Sequence, residues 1–73
     1  MKDITITKEP VELYKILKFE GLADSGGEAK AMIDARMVMV NGMVETRKRN
    51  KIVSGDVIEV GGHQFKIIFT PQS

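Results

Sequence analysis

The sequence predicts an α+β domain: two short helices packed on one side of a small antiparallel or mixed sheet of about four to five strands. Three observations carry that class. Apolar residues recur at helical spacing only between Pro10 and Arg36. Runs rich in β-branched residues stand before and after that region. Two tight-turn dipeptides, Asn41-Gly42 and Gly61-Gly62, punctuate the second half. Helices thus come as one block and strands mostly as another.

Ile4-Thr5-Ile6-Thr7 alternates with period two and reads as a short strand. Pro10 then suits the first turn of a helix, where its missing N–H costs nothing. Leu13, Ile16 and Leu17 fall on one face of that helix, with Lys15 and Lys18 on roughly the opposite side. Gly21 is placed to end it in a left-handed cap. Ser25 with Glu28 three residues on is a capping-box pattern for a second helix, whose apolar face is Ala29, Met32 and Ile33. Gly26 and Gly27 weaken its first turn and would allow close approach by a partner or by the first helix. Met37 to Val40 reads as a strand, Asn41-Gly42 as a turn, and Met43 to Glu45 as the returning strand. Ile52-Val53 leads into a turn at Ser54-Gly55-Asp56. Val57 to Val60 and Gln64 to Phe69 form a hairpin about Gly61-Gly62, and Pro71 ends the fold.

At 73 residues the chain is expected to be one domain over 1–73. A chain this short buries about 60–65% of its unfolded surface, so the core must be small and a deep enclosed active site is not expected. There is no cysteine, hence no disulfide and no thiolate metal site. One lysine, an acid at Asp3 and no long apolar run at the N-terminus argue against a signal peptide. No apolar stretch approaches the roughly 18–20 residues of a membrane span. A cytoplasmic monomer is the expectation.

Charge is distributed unevenly. Thr46-Arg47-Lys48-Arg49-Asn50-Lys51 holds four cations and no acid, whereas the rest carries seven basic and ten acidic residues. A net charge of +1 therefore conceals a +4 segment on a −3 body. Between a hairpin and a Gly-Asp turn, such a segment reads as a loop that faces a polyanion.

The order Leu13 to Leu17, Gly21-Leu22-Ala23-Asp24-Ser25, Glu28-Ala29-Lys30, Ile33, Val38, Val40-Asn41-Gly42, Val44, Thr46 and Ser54-Gly55-Asp56-Val57-Ile58 resembles the ribosomal S-four-type RNA-binding domain family. With the leading strand and the Glu45-Thr46-Arg47-Lys48-Arg49 run, the chain looks like the small stand-alone bacterial members. The resemblance implies the family's alpha-L motif, and RNA binding through the two helices and the hairpin behind them, without chemistry of its own. Two positions depart from the family pattern. Glu12-Leu13-Tyr14 stands where Arg-Leu-Asp is frequent, and Ser25-Gly26-Gly27 where Ser-Arg-Ser is frequent. Both remove cations, which shifts the positive charge onto the Thr46–Lys51 run.

The candidate RNA-binding residues are Lys15, Lys18, Lys30, Arg36, Asn41, Arg47, Lys48, Arg49 and Lys51. Arginine suits phosphate because its planar fork binds two oxygens, while lysine acts as a point charge. Each has a plainer reading as well. Exposed lysines are ordinary on helix faces, Arg36 sits where a helix C-terminus favours a cation, and Asn41 supplies a positive-φ turn. Ser25 reads as a cap. The five methionines read as core filler, and Phe65 and Phe69 as part of the closing core strand. His63 is the only histidine, and no constellation of Ser, Asp or Glu would activate a nucleophile, so no catalytic or metal site and no cofactor is expected. Few aromatic residues are available for stacking, which favours shape and phosphate recognition of structured RNA, here ribosomal RNA or a precursor, with ribosomal particles as possible partners. Two alternatives stay open: a protein-interaction adaptor in ribosome assembly, and the RNA-targeting module of a split RNA-modifying enzyme.

Overall fold

A computed structural model describes residues 1–71. Along those residues run β1 (Lys2–Ile6), β2 (Val11–Glu12), α1 (Leu13–Phe19), α2 (Gly26–Asp34), β3 (Val38–Val40), β4 (Met43–Val44), β5 (Lys51–Ile52), β6 (Val57–Val60) and β7 (His63–Phe69). The main sheet has the order β1-β7-β6-β3-β4. It is mixed, because the edge strand β1 lies parallel to β7 while β7-β6, β6-β3 and β3-β4 pair antiparallel. β2 and β5 form a separate two-stranded clip, with Val11 opposite Ile52 and Glu12 opposite Lys51.

One face of the sheet is covered by the helices. Ile4, Val38, Ile58 and Ile67 from the strands meet Leu13, Ile16, Leu17, Ala29 and Ile33 from the helices, and Ile52 of the clip joins them. Phe65 is buried and Phe69 packs against this core, as expected of the closing strand. The methionines differ from expectation. Met1, Met37 and Met43 are exposed, and only Met32 packs against the core from its rim. Met37 lies just outside β3 and Met43 lies on the edge strand β4, where little of the fold is left to cover them.

Both helices end in the same hydrogen-bonded device. At α1, Leu22 N donates to Leu17 O at 2.9 Å and Gly21 N to Lys18 O at 3.2 Å. Gly21 takes the left-handed φ of 73° that this Schellman motif needs. At α2, Met37 N donates to Met32 O at 3.1 Å and Arg36 N to Ile33 O at 3.0 Å. Here the left-handed residue is Arg36, at φ 63°. Ser25 caps the start of α2, its Oγ accepting from Glu28 N at 3.1 Å.

The start of α1 departs from the sequence expectation. The helix begins at Leu13, and Pro10 stands outside it. Val11 and Glu12 are extended because they pair with Ile52 and Lys51, a partner forty residues away that local spacing does not reveal. For the same reason Lys51 belongs to a strand and not to the basic loop.

Candidate nucleic-acid interface

The basic loop is seated on the first turn of α1. Helix N-termini leave backbone N–H groups without partners, and a side-chain oxygen usually supplies one. Glu12 makes no such cap. The loop does the work with its backbone: Leu13 N donates to Asn50 O at 2.9 Å, and Tyr14 N donates to Lys48 O at 3.1 Å. The cationic segment is therefore held against the helix by two main-chain bonds and continues directly into the β2–β5 clip.

Within the loop, Asn50 N donates to Arg47 O at 3.2 Å and closes a turn. Glu45, just before the run, organises this turn. Its Oε1 accepts from Arg47 N at 2.8 Å and Arg47 Nε at 3.0 Å, and its Oε2 accepts from Arg47 Nη2 and Asn50 Nδ2, both at 3.1 Å. The paired contact with the guanidinium is the strong fork-to-fork geometry. These bonds, with Arg47 first among them, hold the Glu45 carboxyl below its ordinary value and raise that of Arg47. Arg47 has five N–H donors, of which two point to Glu45. The rest of an exposed guanidinium is left for other oxygens.

Acids that are distant in sequence come back in space. Lys48 Nζ lies 2.9 Å from Asp34 Oδ2 at the end of α2. Arg49 Nε lies 3.8 Å from Glu12 Oε2, and Lys15 Nζ lies 3.1 Å from Glu12 Oε1. The Lys15 contact first, then the fields of Lys15, Arg49 and Lys51, lower the Glu12 carboxyl against a smaller opposing effect of burial. Three of the four cations of the run are thus paired, whereas Lys51 has no ion-pair partner among the described residues. The exposed Lys48–Asp34 pair is weak, worth about 0–1 kcal/mol, and the Arg49–Glu12 contact is long at 3.8 Å, so a phosphate can replace those two acids.

The helix lysines join the same neighbourhood through Tyr14. Lys30 Nζ lies 4.7 Å from the centre of the Tyr14 ring and Lys15 Nζ lies 6.0 Å from it. The ring also lies over Gly26, where an added Cβ would sit 3.9 Å from Tyr14 Cε2 and 4.0 Å from Lys18 Cδ. Those are ordinary contacts, so nothing in the packing requires glycine at 26. Lys18 Nζ is 6.0 Å from the ring of Phe19, which is 70% exposed. The structure therefore brings together Lys15 and Lys18 of α1, Lys30 of α2, and Arg47, Lys48, Arg49 and Lys51 of the docked loop and clip.

Arg36 and Asn41 serve different places. Arg36 is the left-handed residue that ends α2. Asn41 sits at the far end of the β3–β4 hairpin from the loop, a separation of about 10 Å for three strand residues. Its Nδ2 donates to Asp56 Oδ1 at 3.1 Å, and its Oδ1 accepts from Val57 N at 2.9 Å. Sequence reasoning assigned none of these contacts to Glu12, Asp34, Glu45, Asn50 or Tyr14. Only Glu45 carried a local signal, an acid immediately before a run of cations.

Comparisons with known proteins agree with this architecture. The S4 domain family model matches residues 4–68. YbcJ of Escherichia coli strain K12, whose name proposes RNA binding, is 44% identical over 69 residues, covering 93% of this chain and 99% of its own. RlbA of Bacillus subtilis strain 168, whose name proposes a part in ribosome maturation, is 36% identical over 59 residues, covering 81% of this chain and 83% of its own. The solution structure of E. coli YbcJ, described as containing an alpha-L motif involved in RNA binding, superposes with a TM-score of 0.70 at 43% identity, covering 93% of this chain and 87% of that one. Helix pair, hairpin and docked loop, together with a match over nearly the whole chain, establish that this protein belongs to the S4 domain family.

Proposed function

We propose that this protein is a non-catalytic RNA-binding protein that recognises structured RNA, ribosomal RNA or a precursor, through phosphate and shape contacts. It would act as a cytoplasmic monomer. The observation that carries this reading is the docking of the cationic loop on the first turn of α1, beside Lys15 and the Tyr14 ring that Lys18 and Lys30 adjoin. The names of the relatives support the same class of partner. Backbone contacts of this kind position an RNA and read little of its base sequence.

The test is the salt dependence of binding to a labelled ribosomal RNA stem-loop. Four phosphate contacts give a slope of log K against log salt of about −3 on single strands and somewhat steeper on duplex. Exchanging Arg47, Lys48, Arg49 and Lys51 together for alanine removes that share of the slope and weakens binding evenly across RNA sequences. Unchanged affinity in the quadruple variant would overturn the reading.

A second reading, a protein-interaction adaptor, takes support from the ion pairs that already neutralise three of those cations and from the exposed Phe19, Met37 and Met43. RNA binding that is absent or insensitive to salt, together with a protein partner recovered by pull-down, is the outcome that favours it.

A further inference from the structure

The three acids that meet the cationic run are not equivalent. Glu45 is 12% exposed at its side chain, and two donors reach each of its oxygens. That nearly fills the capacity of a carboxylate, about four acceptor sites. The donors come from both ends of the turn, Arg47 and Asn50, and Asn50 O is one of the two carbonyls that hold the loop on α1. Asp34 is 58% exposed and meets only Lys48. Glu12 meets Lys15 and, at the longer distance of 3.8 Å, Arg49.

Resting on the RNA-binding reading, we propose that Glu45 is a positioning residue that raises RNA affinity by holding Arg47 and the loop turn in place, whereas Glu12 and Asp34 lower affinity by competing with phosphate for Arg49 and Lys48. The three acids thereby act with opposite signs on one cationic face. Charge alone gives all three the same sign, because removing any acid from a cationic face strengthens its attraction for a polyanion. Glu45 differs because its charge is already spent on Arg47, and what its loss releases is the order of the turn. A freed Arg47 must then be immobilised again on binding, a cost that a preorganised fork avoids.

The experiment compares Glu45→Gln, Asp34→Asn and Glu12→Gln in salt titrations against the labelled ribosomal RNA stem-loop, at a temperature where circular dichroism shows each variant folded. Glu45→Gln weakens binding about fivefold and reduces the salt slope by about 0.7–0.9, the share of one phosphate. Asp34→Asn and Glu12→Gln strengthen it about two- to threefold, the range of an exposed ion pair. Amide exchange without RNA adds a second readout: the N–H groups of Leu13 and Tyr14, which bond the loop carbonyls, exchange faster in Glu45→Gln than in the wild type. Equal or tighter binding by Glu45→Gln overturns the inference, and so does weaker binding with an unchanged slope, which marks a merely structural role. Both outcomes leave wild-type RNA binding intact. Absence of salt-dependent binding by the wild type overturns the functional reading itself, and the inference with it.

Discussion

Arg36 shows how one residue can carry a cost for a position. It occupies the left-handed site that ends α2, at φ 63°, where a side chain is disfavoured by about 1–2 kcal/mol relative to the right-handed region. Gly21 fills the equivalent site of α1 without that cost. Arg36→Gly is expected to stabilise the protein by about 0.5–1 kcal/mol, after the greater freedom of glycine in the unfolded chain is deducted. Urea denaturation measures this, and a lower midpoint for the variant would show that the arginine side chain makes contacts that outweigh the strain. Glu45 gives a pH signature at the same scale. Its carboxyl is held below the ordinary value of 4.5, chiefly by the side-chain bond to Arg47. The folded state therefore binds that proton less readily than the unfolded state. The linked stability is fully present above about pH 4.5 and is lost as pH falls through the lowered folded value. The difference in urea midpoint between wild type and Glu45→Gln should accordingly shrink as pH falls below 4.5; a constant difference would contradict the assignment.

At the scale of elements, the two-residue strands β2 and β5 matter beyond their length. Their pairing turns the chain into α1 at Leu13 and fixes the exit of the basic loop at Lys51. Ile52 anchors the clip, fully buried among the residues of the core. Ile52→Ala should cost about 2–4 kcal/mol by lost burial and the cavity left behind. For a domain of this size the total stability is on the order of 4–11 kcal/mol, so the variant is marginal and chemical denaturation will show it. The Gly21 end of α1, the Ser25 cap of α2 and the Asn41-Gly42 and Gly61-Gly62 turns were legible beforehand, because each depends on backbone preferences within a few residues. The clip was not. Val11-Glu12 beside a proline looks like the opening of a helix until Lys51-Ile52 supplies the partner that makes it extended. The methionines were misread for a related reason: apolar character marks a residue that can be buried, and the edge position of β4 leaves Met43 uncovered.

For the whole molecule, the amino-acid order alone specified the α+β class, the helix-then-hairpin order and the existence of one +4 segment on a body of −3. It did so because periodicity, caps and turn chemistry are local and because net charge needs no coordinates. What that segment faces depends on long-range packing. Glu12 meets Arg49 and Asp34 meets Lys48 across long stretches of chain, and the carbonyls of Lys48 and Asn50 meet the first N–H groups of α1. A run that stands at +4 along the chain is therefore a partly neutralised surface in space, with the body's acids folded against it. Asn41, a candidate by residue type, lies at the opposite end of the hairpin and is engaged in a turn, while the backbone of Arg36 closes the end of α2. Residue type states which groups can meet phosphate. Which of them share one face is set by long-range pairing, and that information resides in the packing of β2 on β5 and of the loop on α1.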